Sequence, residues 1–233
     1  MNRLRLPFFA LLALALSASS ASACRLALAL GFDVSRSVDG ADYRMQTDGI
    51  IAALANPAVR DLLLRPEQPV AVAVYECAGQ YRQTLLADWV LLDSPQAIDA
   101  LALRIETHHR VDNSLTAVGS ALVFGRDLLS RAPQDCPWHT LDLAGDGQNN
   151  DGYAPARVYA EGGFDGIVVN GLVIGEHDPE VRAWYERHVL HGPGAFAEYA
   201  VTHAEFADAF LRKLIRELTE PMLGFDETPP SQG

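Results

Sequence analysis

The chain has 233 residues and a formal net charge of −12, with 30 acidic residues against 18 basic ones. Acidity on this scale disfavours nucleic acid and anionic lipid as partners, and favours cations or surfaces carrying Lys and Arg. With an N-terminal signal set aside, about 210 residues remain, enough for one domain with a sizeable core.

Residues 1–23 carry the marks of a secretory signal. Arg3 and Arg5 form a basic start, Leu6–Leu16 a short apolar core, and Ala21-Ser22-Ala23 a small-residue cleavage site. A buried first helix is the alternative reading of the same residues. The apolar run is too short to span a bilayer and nothing later resembles a membrane helix. Export to the periplasm or medium, without membrane insertion, is therefore expected. Losing Arg3 and Arg5 with the signal takes the charge from −12 to −14.

Beyond Cys24, apolar runs alternate with amphipathic segments. This is the signature of a doubly wound, mostly parallel α/β sheet with helices on both faces. Leu26–Phe32 is the first expected strand. A helix follows over Asp39–Asn56, with Tyr43, Ile50, Ile51 and Leu54 at helical spacing, and Pro57 ends or interrupts it. Val70–Tyr75 is a second buried strand, and Tyr81–Val90 returns as an antiparallel edge or hairpin strand. Ser94-Pro95 opens a helix to about Glu106. A polar loop, Thr107–Leu115, leads to a helix over Thr116–Ser130. Thr140–Leu143 is the next strand, followed by the loop Gly145–Gly152. A short helix over Pro155–Glu161, a strand over Ile167–Ile174, a helix from Asp178 to about Val189 and a strand over Ala197–Val201 come next. A closing helix spans Ala204–Leu218, and residues 221–233 read as a disordered tail after a domain over 24–220.

Three cysteines remain in the exported chain, and an odd count suggests one disulfide and one free thiol. Cys24 precedes the run that ends at Asp33. Cys136 stands at a similar distance before the run that ends at Asp146. If these runs are neighbouring parallel strands, about 4.8 Å apart, the two cysteines lie side by side at their amino ends. A Cys24–Cys136 bridge is expected, with lipidation of Cys24 as the competing fate. Ala21 stands where a lipoprotein signal usually has Leu. Cys77 is then the free thiol: buried and inert, or a nucleophile near His108 or His109.

The first strand ends abruptly in Asp33-Val-Ser35-Arg-Ser37, one carboxylate and two hydroxyls at alternate positions. Thr116 follows a polar loop, and Asp146 follows the strand ending at Ala144. In a doubly wound sheet these three segments fall at the carboxyl end, where ligands bind at the reversal of strand order. Two carboxylates and three hydroxyls form an octahedral oxygen set suited to Mg2+. Singly, each has a plainer reading: Ser37 or Thr116 as a helix cap, Asp146 as turn chemistry.

The set Asp33, Ser35, Ser37, Thr116 and Asp146, in that order, resembles the metal-ion-dependent adhesion site of the von Willebrand factor type A domain, across about residues 25–218. Asp33-Val-Ser-Arg-Ser-Val-Asp and Ala144-Gly-Asp-Gly-Gln-Asn-Asn further resemble an uncharacterised, DUF1194-like group of exported bacterial proteins of this type. The resemblance implies that Asp33, Ser35 and Ser37 bind Mg2+ (or Mn2+) directly or through water. It implies that Thr116 and Asp146 alternate between direct and water-mediated roles. It also implies an open coordination position for the Asp or Glu of a protein partner. Arg36, at a position where small residues are common, joins Asn113, Asn149 and Asn150 as the candidate partner-binding rim; Asp151 lines the same rim, with loop solvation as the plainer reading of Asn149, Asn150 and Asp151.

A Mg2+-dependent phosphoryl hydrolase with Asp33 as nucleophile is the alternative from a different class. Such sites usually need a second carboxylate two residues on and a Lys for the phosphate. Here Ser35 takes the first place, and Lys213, in the final helix, is the chain's only lysine. His177, His188, His191 and His203 lack ligand spacing and read as surface or structural. Trp184, Tyr185, Phe196 and Tyr199 read as packing of the last helix and strand.

Overall fold

The computed structural model describes residues 24–110, 114–133 and 136–224, with the backbone alone over 220–224. The expected signal segment, the rim candidate Asn113 and residues 225–233 lie outside the described residues. Strand β1, Leu26–Asp33, alternates leucine and alanine up to Gly31. Successive strand residues face opposite ways, so this alternation gives the sheet one bulky and one small face. Leu26, Leu28, Leu30 and Phe32 enter one core layer, while Ala27 and Ala29 enter the other.

In chain order β1 is followed by α1 (Gly40–Ala55), α2 (Pro57–Leu64), β2 (Val70–Cys77), β3 (Gln83–Leu91), α3 (Pro95–Thr107) and α4 (Val118–Leu129). Then come β4 (Trp138–Gly145), α5 (Pro155–Glu161), β5 (Ile167–Ile174), α6 (Val181–His188), β6 (Ala197–Ala200), a 3-10 turn at His203–Glu205 and α7 (Phe206–Gly224). The sheet order is β3-β2-β1-β4-β5-β6. Only the edge strand β3 is antiparallel, paired to β2. The bulky face carries α1, α2, α3 and α7, whose Ile50, Ile98, Phe206 and Phe210 are buried against the β1 leucines. Each such side chain contributes roughly 2 kcal/mol on leaving water.

The small face admits α4 closely. A Cβ at Gly125 of α4 would meet the Tyr75 hydroxyl at 2.8 Å and overlap the Leu141 side chain, so the helix packs at glycine distance. Cys24 and Cys136 are joined by a disulfide, with Cα atoms 4.6 Å apart at the amino ends of β1 and β4. Cys77 is free and buried.

Several boundaries differ from the sequence reading, each for a physical reason. Pro57 begins a new helix, because Asn56 accepts the Ala58 N–H and caps it. Asp39, rather than Ser37, caps α1 in a reciprocal box with Asp42. The helix expected to open at Thr116 starts at Val118, and its cap residue, Ala117, supplies no side-chain hydrogen bond. At the other end α7 continues to Gly224, so residues 221–224, read as tail, are helical.

Candidate metal centre

The chain leaves β1 for β2 on one side, and leaves β4 for β5 on the other. The carboxyl ends of β1 and β4 therefore flank the reversal of strand order, where a doubly wound sheet opens a crevice. Asp33 is the last residue of β1, and Asp146 follows Gly145, the last residue of β4. A Cβ at Gly145 would overlap the Tyr185 hydroxyl and come within 3.3 Å of the Asp33 Cβ. Glycine there lets the two strand ends and α6 close on one point.

The five expected residues meet. Ser35 donates its backbone N–H to Asp33 Oδ1 at 2.9 Å and its hydroxyl to Asp33 Oδ2 at 3.0 Å. Ser35 Oγ and Ser37 Oγ are 3.2 Å apart, and Ser37 donates to Asp146 Oδ1 at 2.7 Å. Thr116 donates to Ser35 Oγ at 3.0 Å. Ser37 and Thr116 thus turn their hydroxyls to this ring instead of to helix ends. Asp33, Ser35, Thr116 and Asp146 are buried and Ser37 is exposed, so solvent reaches the ring past Ser37.

Backbone and side-chain bonds sew the contributing segments together. Arg36 N donates to Ser114 O, Ala117 N to Ala78 O, and the Asn150 and Asp151 N–H groups to Thr116 O. Asn150 Oδ1 accepts the Thr116 N–H at 2.9 Å and Asn149 Oδ1 accepts the Gly119 N–H at 3.1 Å. These two rim candidates therefore hold the Thr116 segment in place. Arg36 is exposed beside the ring.

Sequence reasoning missed one support, Arg110, and placed the other, Asp151, at the rim. Arg110 donates to three carbonyls of the Asp33 turn: Val34 at 2.8 Å, Ser35 at 2.9 Å, and Val38. Asp151 Oδ2 accepts the Gln80 N–H at 2.8 Å, tying the loop after β2 to the loop after β4. For Arg110 the only local hint was a charged residue in a polar loop; its partners are remote in sequence.

Two buried carboxylates share this ring. Burial, then the charge of Asp146, push the Asp33 carboxyl up to about 7, against the Ser35 hydrogen bonds and Arg110, which pull it down. Asp146 Oδ2 is buried with no hydrogen-bond partner in the protein. Oxygen spacings of 2.7–3.2 Å are those of hydrogen bonds. They also match the edge of an octahedron with metal–oxygen bonds near 2.1 Å, roughly 3.0 Å. The residues therefore fit a Mg2+-sized ion, which would answer both the repulsion and the partnerless oxygen. Burial raises the Cys77 thiol well above its ordinary range. It lies 3.4 Å from Phe32 O, and burial with this contact favours the protonated thiol.

Solved structures share this architecture. A von Willebrand factor type A structure from Catenulispora acidiphila aligns with a TM-score of 0.61 at 16% identity, over 84% of this chain and 43% of that one. Proximal thread matrix protein 1 from the mussel byssus, with a zinc-occupied MIDAS motif, aligns at 0.60 and 16% identity, over 84% and 46%. The PilB minor pilin of Streptococcus sanguinis aligns at 0.60 and 13% identity, over 90% and 64%. The chain thus spans less than half of the first two relatives and under two thirds of the third. No curated protein matches it in sequence. The fold is that of the von Willebrand factor type A domain. Residues 23–222 match the family model described as "Protein of unknown function (DUF1194)", and the chain belongs to that family.

Proposed function

We propose that this protein is an exported, metal-dependent binding module. Asp33, Ser35, Ser37, Thr116 and Asp146 would hold Mg2+ or Mn2+, and the partner would be a protein presenting Asp or Glu. The observation that carries this is the ring of five oxygen-bearing side chains around two buried carboxylates, one with a partnerless oxygen. A divalent cation there supplies a hard electrophilic centre for a carboxylate oxygen. The chain's own residues do the rest. Two carboxylates balance the cation's charge, so the site stays neutral and attractive to a further anion. Arg110 and the Asn149–Asp151 loop hold the hydroxyls in register, Ser37 marks the solvent-facing side, and Arg36 offers a charge to an acidic partner.

The zinc-occupied motif of the byssus protein supports a divalent ion on this fold. The minor pilin among the relatives supports export and protein binding. Among the described residues no helix is long and apolar enough to cross a membrane. A phosphoryl hydrolase fits less well. The residue two positions after Asp33 is Ser35, where such a hydrolase needs a second carboxylate. Lys213 is fully buried, 2.6 Å from Asp142 and from Glu217, and so is withheld from any phosphate at the site.

The test is capture of partner from a periplasmic extract by immobilised wild-type chain in Mg2+, in chelator, and with Asp33→Asn. Capture in Mg2+ alone, lost with chelator and with Asp33→Asn, is expected. Equal capture in all three arms would remove the cation from the function.

A further inference from the structure

A second cluster of ligand-type side chains lies outside the oxygen ring and shares no residue with it. Asp42, His177 and His203 bring one potential ligand atom each to within 4.8 Å of one another. They come from three places: the first turn of α1, the loop after β5, and the 3-10 turn that leads into α7. Glu176 joins them. Its Oε2 accepts the His203 backbone N–H at 2.8 Å and lies 3.0 Å from His203 Nδ1. His203 Nδ1 is also 3.6 Å from Asp42 Oδ1.

Nδ1 carries at most one proton, yet two carboxylates from different segments converge on it. The ring is 1% exposed. One hydrogen bond to Glu176 answers one carboxylate only. A divalent cation on Nδ1 answers both.

We infer that Asp42, Glu176, His177 and His203 form a second metal site, selective for Zn2+ or a similar transition ion. Two imidazoles with two carboxylates suit a borderline-soft ion, whereas the all-oxygen ring suits Mg2+. Two carboxylates against one divalent ion leave the site neutral. A tetrahedral ion with bonds near 2.1 Å needs ligand atoms roughly 3.4 Å apart. Asp42 and His203 are already at that spacing. His177 is exposed and free to close the remainder by turning its side chain. Asp42 is oriented by the α1 capping box, in which its Oδ2 accepts the Asp39 N–H at 3.1 Å. The His203 N–H orients Glu176 in the same manner, an outer support of the kind metal ligands need. A bound ion would clasp the start of α7 to the start of α1, five residues beyond Ser37. The histidines showed no ligand spacing in sequence because their partners come from remote segments.

The experiment uses calorimetric titration of Zn2+ into two full chains at neutral pH: Asp33→Ala, and Asp33→Ala with His177→Ala. The shared substitution removes the oxygen ring, so zinc bound there cannot be mistaken for this site. The first chain is expected to bind one Zn2+, and the second to bind it at least about tenfold more weakly. No Zn2+ bound by the first chain, or affinities differing by less than tenfold, would overturn the site. His177 is exposed, so its removal leaves folding intact. The same pair on the wild-type background in excess Mg2+ repeats the comparison with Asp33 present.

Discussion

Asp33 and Asp146 face one another across the strand reversal, 5% and 1% exposed. Withdrawing a carboxylate from water costs several kcal/mol unless something replaces the lost hydration. For Asp33 the replacement is partial, and its carboxyl rises from 3.8 to about 7. Between these values the metal-free fold binds a proton that the unfolded chain does not. That contribution to stability is fully present below about pH 4 and is lost as pH rises through about 7. A cation competes with that same proton. Mg2+ at about a hundred times its dissociation constant should therefore raise the melting temperature by roughly 5–10 °C at pH 8, and by much less at pH 5. Differential scanning calorimetry at the two pH values checks this. Equal shifts, or none, would contradict the assignment of Asp33 as ligand.

Helix α7 is held to the sheet by more than its apolar stripe. Fully buried Lys213 pairs with Asp142 of β4 and with Glu217, each at 2.6 Å, and Asn170 of β5 donates to Glu217 at 2.8 Å. Burial and Glu217 push the Asp142 carboxyl up to about 7, and the two carboxylates raise Lys213 above its ordinary value despite burial. Removing only the lysine leaves two acids facing each other without a counter-charge. Lys213→Met should therefore cost about 3–5 kcal/mol, read as a lowered denaturation midpoint in urea. A midpoint unchanged from wild type would show that the apolar stripe alone fastens α7. The strands were legible here, since runs such as Leu26–Phe32 and Val70–Tyr75 are apolar throughout, as buried parallel strands are. The lysine's partners were not, because a single charge on a helical pattern reads as a solvated position until the facing strand is known. The start of α4 was misread for a related reason. Thr116 has the chemistry of a cap, but its hydroxyl goes to Ser35.

For the molecule as a whole, the site was legible to the extent that it is local or chemically distinctive. Asp33, Ser35 and Ser37 lie within one turn, and Thr116 and Asp146 follow elements whose ends periodicity locates. Arg110 and the Asp42–His203 pair act through contacts between remote segments, and no local pattern marks them. The disulfide belonged to the legible part once β1 and β4 were taken as neighbours. It closes a separation of 112 residues. Loop entropy for a closure of that size is worth about 4–5 kcal/mol. Reduction, or Cys24→Ser with Cys136→Ser, should lower the melting temperature by roughly 10–20 °C and leave the Mg2+ response in place. The bridge joins the amino ends of the strands, opposite the ring. Loss of the Mg2+ response on reduction would mean that the two ends of the sheet are coupled.

The proposed function rests on five side chains holding one divalent cation. Calorimetric titration of Mg2+ into the wild-type chain and into Asp33→Ala tests it most directly. One saturable site in the wild type, absent from Asp33→Ala, is the expected result. Equal binding by both chains, or none by the wild type, would contradict the claim.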